Sequence, residues 1–337
     1  MIASHYPIDT FWFDIILYLL IGVLAPLVLM LCCWGIGTLL HRRKAGLRVG
    51  IVVGVATMLT ALYGFTYGMS QVHVRHVTLA FDDLPADFDG YRILHIGDLH
   101  VGTYRGWRTD ILKTVVDSAM AQRVDMVAFT GDLQNARPYE LLGALSQLRR
   151  IKAPDGVYSV LGNHDYPMYL RDVEEYEKVD SLARHIMLQR DSLGWTLLCN
   201  GYRWLHRGKD SIVVSGMEND GEPPFPQYAN LTNSLYGVPA HGSFIVMLEH
   251  DPTSWRRTIL PHSHTQLTLS GHTHGGQLAL LGLSPAQLRY RESRGHYQIG
   301  KQQLYVTSGV GGLLPCRIGV VPEIVVITLK RSDKTTE

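Results

Sequence analysis

The residues best suited to chemistry stand in five short polar clusters: Asp98 with His100, Asp132, Asn163 with His164, His250, and His272 with His274. The last lies in residues 270–277, Ser-Gly-His-Thr-His-Gly-Gly-Gln, directly after an apolar run at 267–269. A lone His-x-His is weak evidence, because two imidazoles two positions apart on a strand merely share a face. In a turn they can converge, and the flanking glycines let the backbone approach closely. Carboxylate, amide oxygen and imidazole are suitable ligands for Mn, Fe or Zn. Asp98, His100, Asp132, Asn163, His250, His272 and His274 are too many for one tetrahedral ion and about right for two. Two ions roughly 3.5–4 Å apart need a ligand that touches both, and a carboxylate can bridge. Such a pair clamps a phosphoryl group and acidifies bound water, generating hydroxide as the nucleophile.

For these residues to meet, each must end an element. Alternating or continuous apolar runs predict strands at 72–79, 91–96, 126–130, 156–161, 195–198, 202–206, 212–217, 244–248, 267–269, 304–307 and 324–329. Helices are expected at 110–120, 140–148 and from about 170 towards 192. In the first, Ile111, Leu112, Val115, Val116 and Met120 recur at helical spacing, with Thr109 as N-cap. The polar clusters follow strand runs. In an α/β fold, strand ends gather at one edge, and sites are built there. Residues 223–240, bearing Pro and Asn, read as a surface excursion, and 331–337 as a polar tail.

The N-terminal part differs. Residues 15–40 and 49–72 carry no formal charge, and each run exceeds the ~20 residues that span a bilayer. Between them lies His41-Arg42-Arg43-Lys44, with Arg48 just after. Residues 1–13 hold no Lys or Arg, unlike the basic start of a secretory signal. The expected organisation is an anchor of two transmembrane helices at 1–71 and a soluble α/β domain at 72–337. A hairpin buried in a soluble core is the other reading of the same runs. The basic loop should face the cytoplasm, which puts both termini and the whole domain outside it. Phe11, Trp12 and Phe13, with Tyr63, Phe65 and Tyr67, would then form aromatic belts at the outer interface. Gly50-x-x-x-Gly54 and Gly64-x-x-x-Gly68 are small-residue patterns. They could seat the second span against the first, or against a second copy in a homodimer.

Composition excludes several classes. The chain has 337 residues and a net charge of +1, so it lacks the basic footprint of a nucleic-acid binder. Its four cysteines form no C-x-x-C, which argues against a thiolate metal site or a disulfide framework.

The ordered set Asp98-Leu99-His100, Gly131-Asp132, Gly162-Asn163-His164-Asp165, His250 and Gly271-His272-Thr273-His274 resembles the calcineurin-like metallophosphoesterase superfamily. The resemblance covers roughly residues 91–329. It implies a four-layer α/β/β/α sandwich around two mixed sheets. It further implies one ion held by Asp98, His100 and His274, a second held by Asn163, His250 and His272, and Asp132 bridging them. His164 matches the family residue that contacts the substrate phosphate and protonates the leaving oxygen. The chain departs from the family at Asn135, where an acid commonly orients that histidine; Asn135 brings no negative charge. Phe88-Asp89-Gly90, Asn163-His164-Asp165-Tyr166, residues 271–277 and Pro322-Glu323-Ile324 look like the membrane-anchored bacterial branch. That branch includes phosphodiesterases and relatives acting on UDP-2,3-diacylglucosamine as pyrophosphatases. The resemblance implies a multi-pass protein of the bacterial inner membrane. With the charge argument, its catalytic domain is periplasmic, whereas the pyrophosphatase activity needs a cytoplasmic site.

The other polar residues take structural roles. His95, inside a strand, reads as a core histidine, and His206, His241, His262, His264 and His296 as surface residues. Asp165 and Asp251 read as orienters of ligands, and Arg317 as one half of a structural ion pair rather than a phosphate contact. Residues 278–283, Leu-Ala-Leu-Leu-Gly-Leu, are either core strand or an apolar rim that would hold a lipid-linked phosphoester beside the bilayer. Two functions compete: a membrane-anchored two-metal phosphoesterase, and a non-catalytic membrane module for binding or sensing that keeps the fold. All seven ligand side chains are present, which favours the first.

Overall fold

The computed structural model describes residues 15–170 and 173–332, in two compact units. The expected aromatic belt at Phe11, Trp12 and Phe13 and the end of the polar tail lie outside the described residues.

The first unit comprises the N-terminal helices and residues Leu314–Ile318. Helices Ile15–Leu39 and Arg43–Gly68 are long and apolar enough to cross a membrane. Leu20, Val23, Leu27, Val52, Leu59 and Leu62 are exposed on them. A hairpin buried in a soluble core would hide such side chains, so that reading does not fit. Gly50 and Gly54 let the second helix approach the first, where a Cβ would press on the carbonyls of Met30 and Pro26. Gly64 and Gly68 instead face residues 316–318, and the Arg317 N–H donates to Gly64 O at 3.0 Å.

Among the described residues, the second unit contains twelve strands in two six-stranded sheets. They are β1 (His73–Phe81), β2 (Arg92–Ile96), β3 (Met126–Phe129), β4 (Val157–Ser159), β5 (Thr196–Leu197), β6 (Gly201–Arg207), β7 (Asp210–Gly216), β8 (Ile245–Leu248), β9 (Leu267–Ser270), β10 (Gly295–Ile299), β11 (Gln302–Val306) and β12 (Glu323–Arg331). The orders are β1-β12-β2-β3-β4-β5 and β10-β11-β9-β8-β7-β6. Strands β2 to β5 run parallel, as do β7, β8, β9 and β11, while β12–β2, β6–β7 and β10–β11 are antiparallel. Every residue of β3, β8 and β9 is buried, as expected for parallel strands covered on both faces.

The two-residue period of β8 sorts its side chains. Val246 and Leu248 join Ile93, Ala128, Leu269, Tyr305 and Val325 between the sheets. Met247 joins Met217, Trp255, Ile259, Leu304 and Val306 on the outer face. Helix Thr109–Met120 buries the stripe Ile111, Leu112, Val115, Val116 and Ala119. These elements give the expected sandwich of two mixed sheets with helices.

Several local expectations need correction. Thr109 is the first helical residue, and its hydroxyl donates to Gly106 O rather than capping. The single helix expected at 140–148 is a 3-10 stretch, Pro138–Gly143, followed by one α-turn at Leu145–Leu148. Pro138 and Gly143 restrict a longer run. Strand β10 was not expected, because two of its five residues, His296 and Gln298, are polar and exposed on a sheet edge. The 223–240 excursion is not wholly surface, since Ala229, Leu231 and Leu235 pack on the outer core. Leu280, Leu281 and Leu283 are exposed rather than core.

Candidate metal centre

Parallel strands put their C-terminal ends at one edge, and the site is built there. Asp98 and His100 follow β2, Asp132 follows β3, Asn163 and His164 follow β4, His250 follows β8, and His272 and His274 follow β9. Main-chain bonds lock the loops together: Asp98 N–H to Gly131 O and His100 N–H to Asp132 O, both at 3.0 Å. The two sheets meet where His272 N–H donates to Asp98 Oδ1 at 2.9 Å. Gly162 and Gly271 permit this closeness, because a Cβ on either would collide with the carboxylate of Asp132 or Asp98.

Asp98, His100, Asp132 and His274 offer ligand atoms that all lie within 4.8 Å of one another, a group able to hold a metal ion. Asp98, His100 and Asp132 are buried. Asp98 Oδ2 and both ring nitrogens of His100 are buried without a hydrogen-bond partner among the described residues. Unpaired buried polar atoms are costly, so this donor set fits a cation. Asp132 Oδ2 lies 3.4 Å from His100 Nε2 and 3.3 Å from His250 Nε2, between the two halves of the cluster. On the far side, Asn163 Oδ1 lies 3.1 Å from His250 Nε2 and 2.8 Å from His272 Nδ1. All seven expected ligands and His164 therefore converge at one edge.

The surroundings orient these groups. His250 Nδ1 donates to the Thr130 carbonyl at 2.7 Å, which turns Nε2 toward Asp132 and Asn163. Tyr169 accepts from Asn163 Nδ2 at 2.6 Å, aiming the amide oxygen inward. His272 Nε2 lies 3.0 Å from the Tyr290 hydroxyl and 3.4 Å from Asp251 Oδ2. Asp165 accepts the N–H groups of Gly162, Asp132, Leu133 and Gln134, and His185 Nε2 stands 3.3 Å from its other side. Asp165 and Asp251 thus hold ligands or their backbone in place, as the sequence suggests. Tyr169, Tyr290, His185 and Phe225, whose ring meets His272 edge-on at 4.8 Å, were not singled out from the sequence.

Electrostatics follow from burial and the paired carboxylates. Burial raises the Asp98 pKa to about 6. Burial also opposes ionisation of Asp132, but the histidines around it, His250 first, outweigh this and hold it well below the usual carboxylate range. Burial would lower His250, yet Asp132 and Asp98 raise it to about 10. The same negative field favours a divalent cation.

His164 sits beside the cluster, its ring stacked on Tyr169 with centroids 4.1 Å apart and edge-on to His100 at 4.7 Å. Its Nδ1 lies 2.5 Å from the Asn135 carbonyl. A carbonyl only accepts, so Nδ1 carries the proton and neutral His164 presents a bare Nε2. The Asn135 side chain points elsewhere, donating to Thr103 Oγ1 at 2.9 Å. The main chain therefore orients the histidine where an acid was expected to be needed. Burial lowers the His164 pKa to about 4.

His95 is a buried core residue bonded to Thr130 Oγ1 at 3.0 Å. His206, His241, His262 and His296 are exposed and His264 is half-buried.

Comparison with known proteins adds three findings. The sequence model described as calcineurin-like phosphoesterase matches residues 91–276. An uncharacterized metallophosphoesterase of Bacillus subtilis, YkuE, is 30% identical over 82% of this chain and 94% of its own length. A zebrafish (Danio rerio) protein named transmembrane protein with metallophosphoesterase domain is 27% identical over 98% of this chain and 77% of its own. That alignment takes in both apolar helices.

Proposed function

We propose that this chain, which belongs to the calcineurin-like phosphoesterase family, is a membrane-anchored hydrolase that uses two divalent ions to cleave a phosphodiester or pyrophosphate bond. The observation that carries the reading is the position of Asp132 Oδ2 between His100 and His250, with ligand groups on both sides. Asp98, His100 and His274 would complete one ion site with Asp132. Asn163, His250 and His272 would complete the other. Mn, Fe and Zn all suit these donors. Ions bound there would clamp phosphoryl oxygens and acidify the attacking water.

The chain's own residues supply the rest. Asp165, Asp251, Tyr169 and Tyr290 fix the ligand side chains and their backbone. His164 is neutral at rest, because burial lowers its pKa to about 4. An incoming anionic phosphoryl group favours the imidazolium. His164 Nε2–H then donates its proton to the departing oxygen, while Nδ1–H stays on the Asn135 carbonyl.

Two apolar helices and relatives named as transmembrane proteins support membrane association. The basic run at 41–44 favours a cytoplasmic loop and an extracytoplasmic catalytic domain, periplasmic in a bacterium. An amphipathic substrate, headgroup at the ions and acyl or prenyl chain at the bilayer, fits an anchored enzyme. The competing reading is a non-catalytic module that retains the fold. A module freed from catalysis has no need of a complete ligand set.

The test is metal analysis of the purified full-length protein, with turnover of a bis-aryl phosphodiester before and after chelation. Two ions per chain and chelator-sensitive turnover are expected. Bound metal without turnover on phosphodiesters, monoesters, nucleotide-sugars or phospholipids would favour the non-catalytic module.

A further inference from the structure

Residues 278–290 leave the metal-binding turn and return to it. The tip is a two-residue hairpin. Leu280 N–H donates to Leu283 O at 2.9 Å, and Leu283 N–H donates to Leu280 O at 3.0 Å. Its two central residues, Leu281 and Gly282, both have positive φ, 51° and 83°. Such turns favour Asn-Gly or Asp-Gly, because a branched side chain is strained at the first position. Leucine there is therefore not a backbone choice. Nor is it a core choice, since Leu281 is 95% exposed, Leu280 79% and Leu283 74%. Leu288, on the following helix Ala286–Arg289, is 92% exposed. Large apolar side chains clustered on one excursion mark an interaction surface.

We propose that the 280–288 excursion inserts its leucines into the lipid bilayer in which the two apolar helices lie. Two observations select lipid over a protein partner. First, the second helical run continues to Ser70, so only residues 71–72 separate it from β1, a tether of roughly 10 Å fully extended. The domain is thus confined close to a bilayer. Second, the flank of the excursion is cationic. Arg289 and Arg291 are exposed and Arg294 half-buried, while the one acid within residues 278–294, Glu292, is buried and paired with Arg256 at 2.7 Å. Apolar tips backed by arginines suit an anionic headgroup layer over hydrocarbon.

The excursion ends at Tyr290, whose hydroxyl lies 3.0 Å from His272 Nε2. A docked tip therefore holds headgroups beside the residues that gather the ligand set. The proposal needs the helices to lie in a bilayer, and it does not rest on hydrolysis.

The test reads depth, not turnover. Leu281→Cys and, as a control, Lys301→Cys are made in full-length protein whose own four cysteines are alanine. Lys301 lies in the exposed turn between β10 and β11, at the strand ends away from the site. Each carries a nitroxide in anionic nanodiscs. Collisions with a water-soluble nickel complex should be several-fold fewer at 281 than at 301, and collisions with oxygen more frequent. Leu281→Asn, which the turn geometry favours, separates docking from folding: with the label moved to Leu288→Cys, it should restore nickel access several-fold. Equal nickel access at 281 and 301 would overturn the proposal. So would shielding at 281 accompanied by dipolar broadening between labels, which would assign the surface to a second copy.

Discussion

Replacing His164 by Asn isolates the proton-transfer step. The substitution leaves most of the site in place. His164 contributes its main-chain N–H to Asp132 Oδ1 at 2.8 Å, and any residue supplies that. An asparagine amide can still donate toward the Asn135 carbonyl, as Nδ1 does now. Two things are lost: the atom at the Nε2 position and the ring stacked on Tyr169. Aromatic stacking is worth about 0.5–1.5 kcal/mol, at most roughly tenfold in rate. General-acid catalysis is worth about 10²–10⁴-fold, or roughly 3–5 kcal/mol of barrier. A loss beyond tenfold therefore reports proton transfer rather than packing. Turnover should be measured on aryl phosphodiesters running from nitrophenyl to phenyl leaving groups, with metal content determined on the same samples. The deficit should be large for phenyl and shrink for nitrophenyl, at unchanged metal content. An equal deficit across the series would refute the general-acid role. A fall in metal content would assign the loss to Tyr169, whose hydroxyl orients Asn163.

Two further perturbations address the ion pair and the anchor. Asp132→Asn keeps the shape but removes the charge shared between His100 and His250; elemental analysis should find one ion or fewer and turnover should vanish, and two tightly bound ions with normal turnover would remove the proposed bridge. An alkaline phosphatase fusion after Glu337 should be active and one within residues 41–44 inactive; the reverse pattern would put the catalytic domain in the cytoplasm and revive a nucleotide-lipid substrate.

The candidate ligand set was legible because the architecture writes it linearly. Strands β2, β3, β4, β8 and β9 are short, largely buried runs, each followed within a few residues by a polar candidate ligand. Residues 126–130 followed by Gly131-Asp132, and 267–269 followed by 270–277, carry the signal without any knowledge of pairing. What was hidden acts through the fold instead. Tyr169 and Tyr290 follow their partners by six and eighteen residues, through turns whose paths no periodicity encodes. His185 reaches Asp165 from a helix whose sequence shows only that it is charged and amphipathic. Asn135 is the instructive case. Its side chain signals a lost acid, yet its carbonyl holds His164, and a main-chain group leaves no trace in residue identity.

Backbone conformation shows why the candidate ligands could not have been placed by local preference. Asp98, His100, Asp132, His272 and His274 have φ of 53°, 47°, 57°, 70° and 51°. Each left-handed non-glycine residue costs about 1–2 kcal/mol. Together they cost roughly 5–10 kcal/mol, comparable with the whole stability of a typical domain, about 5–15 kcal/mol. Glycine at those positions would remove most of that cost, and the chain does use glycine at the neighbouring Gly131, Gly275 and Gly309, also at positive φ. Aspartate and histidine in the strained places supply donor atoms that glycine cannot. The two buried sheets hold the strain. A ligand that binds only the folded state offsets it by mass action, and the group of Asp98, His100, Asp132 and His274 is built to take a cation. Leu281, at φ 51° on the exposed hairpin, follows the same logic. There the side chain is hydrocarbon instead of a donor, and what offsets its strain must be apolar.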